Sequence, residues 1–109
     1  MANNTIWKGE SERVLESKRG FVRAYLNENE ISPTSAGYNV LLYVILKASE
    51  NPTFSCGQLF DCYAEEVLKE KTKKASKGAY KNAYYAVKHS ASKTKSAFRF
   101  IKECSISLE

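Results

Sequence analysis

Lys77, Lys81, Tyr84 and Lys88 are spaced so that a helix carries all four on one face, with Ala79, Ala83, Ala86 and Ser90 on the face opposite. A cationic and aromatic face over a small, packable back suits contact with a polyanion. Lysines neutralise backbone phosphates and gain affinity by releasing condensed counterions, without reading sequence. The run KTKKASKGAYKNAYYAVKHSASKTK, from Lys71 to Lys95, extends this face with further lysines on both sides. It reads as a basic loop entering a basic helix.

Other chemistry finds little material. The single histidine, His89, sits inside the basic run, where a phosphate or solvent contact suits it better than catalysis. Cys56 and Cys62 are six residues apart with no histidine nearby, which is not metal-ligand spacing, and no glycine-rich phosphate loop occurs. Asp61, Glu65 and Glu66 fall on one predicted helix and need no more than a charged helix face to explain them. No catalytic residue, metal site or cofactor is expected, and the chain is not read as an enzyme.

The charge is partitioned along the chain. The first 70 residues hold 7 Lys/Arg against 10 Asp/Glu, whereas residues 71–102 hold 10 Lys/Arg and no acid. A solvated, self-repelling surface is the simplest account of such a block, and a phosphate-binding face is the sharper one. A membrane surface fits less well, because alanines and tyrosines adjoin the block in place of a large apolar face. At 109 residues, 43% apolar and 27% charged, the chain is long and apolar enough to fold as one domain. No apolar run reaches the roughly 18 residues of a spanning helix, and MANNTIWKGESERV lacks the layout of a signal peptide, so cytoplasmic placement is expected. The three cysteines, Cys56, Cys62 and Cys104, are then expected to be buried reduced thiols.

The elements that must hold the basic face are all helical by pattern. Residues 1–10 read as an N-terminal tail containing Ile6 and Trp7, and residues 11–109 as a single helical domain. A first helix opens at Ser11, with Glu10, Glu12 and Glu16 near its positive end and Val14, Leu15, Phe21, Val22, Tyr25 and Leu26 forming its apolar stripe. Gly20 inside it marks a kink or a close crossing. After NENEISPTSAG, where Thr34 or Ser35 supplies a capping oxygen, a central core helix runs from about 35 to 49 with Tyr38, Leu41, Leu42, Ile45 and Leu46 inward; Gly37 in its first turn admits a close neighbour. A third helix spans about 55–71, burying Leu59, Phe60, Tyr63, Val67 and Leu68. TKKAS then connects it to the basic helix, with Ser76 as N-cap, and the last helix begins near Thr94 or Ser96 and buries Ala97, Phe98, Ile101 and Cys104. The fold expected is all-α, a compact bundle of five to six helices containing a helix-turn-helix over about 55–91.

From Phe21 to Ser90 the chain resembles the DNA-binding effector domain at the C-terminus of the sporulation master response regulator of endospore-forming bacteria. The resemblance rests on Ile31 with Pro33, on Gly37-Tyr38 opening NVLLYVILKASEN, on Tyr63 in LFDCYAEEVLKE, on KASKGAYKNAYYAVKH and on the closing KSAFRFIKE. It implies an all-helical domain that places a recognition helix in the major groove of double-stranded DNA and serves transcription regulation in sporulation. On that implication Lys77, Lys81, Tyr84, Tyr85 and Lys88 are the recognition-helix residues, and Lys71, Lys73, Lys74, Ser76, Lys93 and Lys95 contact phosphates.

The departures carry information too. Two arginine-centred groups of the family's recognition helix are replaced by Tyr80-Lys81 and Tyr84-Tyr85, and Gly78 stands where the family has a larger side chain. Arginine grips guanine with two hydrogen bonds, which lysine and tyrosine do not reproduce, so the family's target sequence is not expected here. The helical pattern starting near Ser11 leads to the expectation that no receiver domain precedes this one. The link before the last helix is also shorter than the family's. The alternative is a protein-interaction module on the same fold, anchored by Tyr80, Tyr84 and Tyr85.

Overall fold

The computed structural model describes the backbone of residues 2–108 and the side chains of residues 13–108. Five α-helices follow one another: α1 Ala2–Glu28, α2 Ala36–Glu50, α3 Cys56–Glu66, α4 Lys73–Lys88 and α5 Ala97–Ser107, with no strand among the described residues. The helix expected to open at Ser11 begins at Ala2, and no proline falls within it. The expected roles of Ile6, Trp7, Glu10, Ser11 and Glu12 lie outside the described side chains.

The middle of the molecule is α2, which packs against all four other helices. Val40, Leu41, Val44, Ile45 and Ala48 are buried, together with Gly37 and Tyr38 in its first turn. An apolar helix surrounded by neighbours buries more than one stripe, which is why Val40, Val44 and Ala48 join the expected residues while Leu42 and Leu46 are only half-buried. Around it, Val22 and Leu26 from α1, Leu59 and Phe60 from α3, Ala79, Ala83 and Val87 from α4, and Phe100, Ile101 and Cys104 from α5 complete one core. Phe100 has no exposed surface and meets Tyr25 edge-on, ring centroids 5.4 Å apart. It carries the core contact expected of Phe98, which is half-buried beneath Lys102.

The helix ends follow the chain's polar residues, with some exchanged. Ser55 and Gln58 cap α3 reciprocally, and Ser96 caps α5 through the Arg99 amide. Neither expected oxygen caps α2: Ser35 donates to the Ser32 carbonyl and Thr34 bonds the Ser32 hydroxyl. The C-terminus of α1 closes with the Ile31 amide on the Leu26 carbonyl and the Glu30 amide on the Asn27 carbonyl, a Schellman pair that puts Glu30 in the left-handed region at φ 64°. Its accompanying apolar pair, Leu26 and Ile31, is buried in the core.

Three further expectations are corrected. Only Cys104 of the three free thiols is fully buried, and burial pushes it up to about 12; Cys56 and Cys62 are half-buried. Val14 and Phe21 are exposed, so among its described side chains α1 packs through Val22, Tyr25 and Leu26 near its C-terminal end. Gly20 has no neighbour within 4 Å of where a Cβ would sit and makes no close crossing. Gly37 does: a Cβ there would lie 2.4 Å from the Asn82 carbonyl oxygen and 2.6 Å from the Ala86 Cβ, so the absent side chain lets α4 lie directly on α2.

Candidate nucleic-acid interface

The basic helix is positioned by its alanines. Ala75, Ala79, Ala83 and Val87 recur every fourth residue and are buried against the core, and Ser90, three residues on and just past the helix, is buried as well. Small side chains on this back allow close approach to α2 and α3, the two helices α4 contacts most. The opposite face follows from helical geometry. Lys73, Lys77, Lys81, Tyr84 and Lys88 are all exposed along it, as the sequence spacing requires.

The start of α4 differs from expectation. α3 ends at Glu66, five residues early, and Lys69 adopts a left-handed conformation at φ 58° in the connection to α4. Val67 and Leu68, read as buried, are exposed as a result. Thr72, not Ser76, is the N-cap: its hydroxyl accepts from the Ala75 amide at 3.1 Å. Ser76 lies one turn inside α4 and donates to Asp61 on α3 at 2.6 Å, so its hydroxyl is engaged in joining the two helices.

The expected phosphate contacts divide into two groups. Among the described residues, Lys73, Lys74, Lys77, Lys81, Lys88 and Lys93 form no ion pair with a carboxylate. Lys71 lies 3.9 Å from Glu65 and is otherwise open to solvent. Lys95 is committed elsewhere: its ammonium pairs with Glu103 on α5, which also receives the Arg99 guanidinium at 3.1 Å. The hydrogen bond to Glu103 holds Lys95 above its ordinary value, and Lys95 followed by Arg99 holds the Glu103 carboxyl below the usual range. The structure thus gathers Lys73, Lys77, Lys81, Tyr84 and Lys88 on one ridge and engages Ser76 and Lys95 with carboxylates of neighbouring helices.

Tyr80, Tyr84 and Tyr85 are 39%, 41% and 44% exposed. They form a chain of rings: Phe60 meets Tyr80 edge-on at 5.3 Å, Tyr80 lies nearly parallel to Tyr84 at 6.3 Å, Tyr84 meets Tyr85 edge-on at 5.4 Å, and Tyr85 lies nearly parallel to His89 at 6.3 Å. Lys88 is 5.8 Å from the Tyr84 ring centroid and Lys81 is 6.0 Å from that of Tyr85. Phe60 and His89 extend the row beyond the three tyrosines expected from the sequence. The i, i+4 spacings Tyr80–Tyr84 and Tyr85–His89 are its signal in the sequence.

Beside this ridge, Glu30, Ile31, Ser35, Gly37, Asn82 and His89 help to line a groove of about 320 Å³ between the start of α2 and the second half of α4. No described helix is long and apolar enough to cross a membrane. No protein-family model matches the chain, and comparison with curated proteins and with solved structures finds no match.

Proposed function

We propose that the protein is a DNA-binding, transcription-regulator-like domain in which α3 and α4 act as a helix-turn-helix and α4 enters the major groove. The reading takes its family analogy from the resemblance to the sporulation effector domain. The observation that carries it is the exposed ridge of α4, whose lysines have no carboxylate partner among the described residues while its alanines are fixed in the core. Lys77, Lys81, Tyr84, Tyr85 and Lys88 face the groove in this reading, and Lys71, Lys73, Lys74 and Lys93 hold phosphates. Lysine and tyrosine in place of a two-pronged arginine give strong attraction to the backbone and modest discrimination between bases.

The start of α4 supports the same reading. Its first turn holds Lys73 and Lys74 and no acid. Cations at the positive end of a helix cost about 0.3–1 kcal/mol each, a cost that a bound phosphate offsets. Binding measured by fluorescence anisotropy with a duplex tests the assignment. Lys81→Gln and Lys88→Gln each weaken binding several-fold, whereas Lys95→Gln, whose ammonium already serves Glu103, stays within about two-fold of wild type. Equal losses at all three positions contradict the reading.

The exposure of Tyr80, Tyr84 and Tyr85 favours a second reading, a protein-interaction module on the same fold. Capture of an acidic protein from the native host, with indifference to DNA, would select it. We assign the chain no catalytic role and place it in the cytoplasm.

A further inference from the structure

The row of rings on α4 offers chemistry that reading a duplex does not use. In a duplex the base faces are stacked on one another and only base edges reach the grooves. The three tyrosines of this row are exposed and set side by side. Tyr80 with Tyr84 and Tyr85 with His89 lie within 28° and 14° of parallel at centroid separations of 6.3 Å, well beyond the roughly 3.5–4 Å of full face-to-face contact, so each ring leaves much of its face uncovered by its neighbour. Phe60, buried in the core, fixes the first ring of the row.

We propose that this ring row binds a DNA single strand, unpaired bases stacking on Tyr80, Tyr84 and Tyr85 while Lys77, Lys81 and Lys88 hold the phosphates between them. The inference rests on the nucleic-acid reading of α4 and names a second form of the ligand for the same face. The interleaving of charge selects the occupant. The centre of a protein interface is depleted in charged residues, whereas a groove for single strands alternates cations that follow the backbone with aromatic faces that accept any base. The ammonium groups of Lys88 and Lys81 lie over the rings of Tyr84 and Tyr85, where a stacking base would displace them toward its own phosphates, and no acid occurs anywhere in α4. Two carboxylates border the ends of the row: Asp61, beside Tyr80, already accepts the Ser76 hydroxyl, and Glu30 lines the groove next to Tyr85 and His89.

The full chain is titrated with a labelled thymidine single strand of about 15 nucleotides and, separately, with a duplex of the same length, at about 50 mM salt. The Tyr84→Phe and Tyr84→Ser variants are measured alongside. Tyr84 is exposed, and circular dichroism checks that both variants keep the helical fold. Stacking requires the ring and not the hydroxyl, so Tyr84→Phe keeps single-strand affinity within about two-fold, and Tyr84→Ser loses on the order of 10-fold. A single strand that does not bind, an equal loss in both variants, or no loss with serine overturns the inference. A duplex that binds while the single strand does not leaves the major-groove reading standing alone. A single strand that binds while the duplex does not removes the major-groove reading and keeps this one.

Discussion

At Gly37 the Cβ of any other residue would meet the backbone of α4, 2.4 Å from the Asn82 carbonyl oxygen. Backbone cannot swing aside as a long side chain can, so Gly37→Ala is expected to push α4 off α2 and cost about 1–3 kcal/mol, seen as a lower urea midpoint. Gly20 gives the opposite sign. It lies mid-helix with open space around it, and Gly20→Ala is expected to stabilise by about 1 kcal/mol. Only the second part of this contrast lies outside what the sequence shows: the Gly37-Tyr38 pair at the head of the most apolar helix indicates a close approach, but nothing in the order of residues around Gly20 says that its neighbourhood is empty. Glu30 and Lys69 were likewise invisible as left-handed positions, since glycine is the usual marker and neither is glycine.

Glu103 supplies a residue-scale prediction in pH. Its carboxyl is held below the usual range by Lys95 and Arg99, so its contribution to stability is fully present above the unfolded value of about 4.3 and is lost as pH falls through the lower folded value. Lys95 agrees in sign: its raised value gives stability below the ordinary lysine range that disappears only in strong base. The difference in melting temperature between wild type and Glu103→Gln should therefore be present near neutrality and close as the pH is taken from about 6 to about 3. A difference that persists unchanged across that span would mean that the ion pair contributes nothing through its charge.

At the scale of the element, α4 combines two demands on one helix. The buried alanines and Val87 tie it to α2 and α3, and the ridge opposite accumulates lysine to the point of opposing its own dipole at the N-terminus. Replacing Lys73 and Lys74 together by glutamine is expected to raise stability by roughly 0.5–1 kcal/mol in denaturant melts while lowering affinity for DNA. A loss of both stability and affinity would assign these lysines a structural role. The two faces were legible because a period of 3.6 is enough to separate alanine from lysine. The start of the helix was not legible: Thr72 and Ser76 are both good caps by type, and the choice depends on where α3 stops, which Lys69 fixes by leaving helical geometry. That early stop also exposes Val67 and Leu68, which a regular pattern would have buried.

Across the whole molecule, the order and number of helices follow from apolar periodicity and from the breaks at Pro33, Pro52 and the serine-rich link before α5. Which side of each helix meets which neighbour does not, because it depends on contacts distant in sequence. Lys95 shows the consequence. In the sequence it is one more lysine of a basic run, and in the fold it belongs to α5 through Glu103. The same run is therefore two surfaces, a ridge on α4 with open lysines and a flank near α5 with compensated charge.

If the open lysines of α4 meet DNA phosphates, duplex binding by the full chain falls steeply as salt is raised. Each phosphate neutralised contributes about −0.9 to the slope of log affinity against log salt, so three to five contacts from the ridge give a slope between about −3 and −5. Removing Lys81 and Lys88 as glutamine should flatten that slope by nearly two of these increments. A slope near zero, or no binding at about 50 mM salt, would contradict the account.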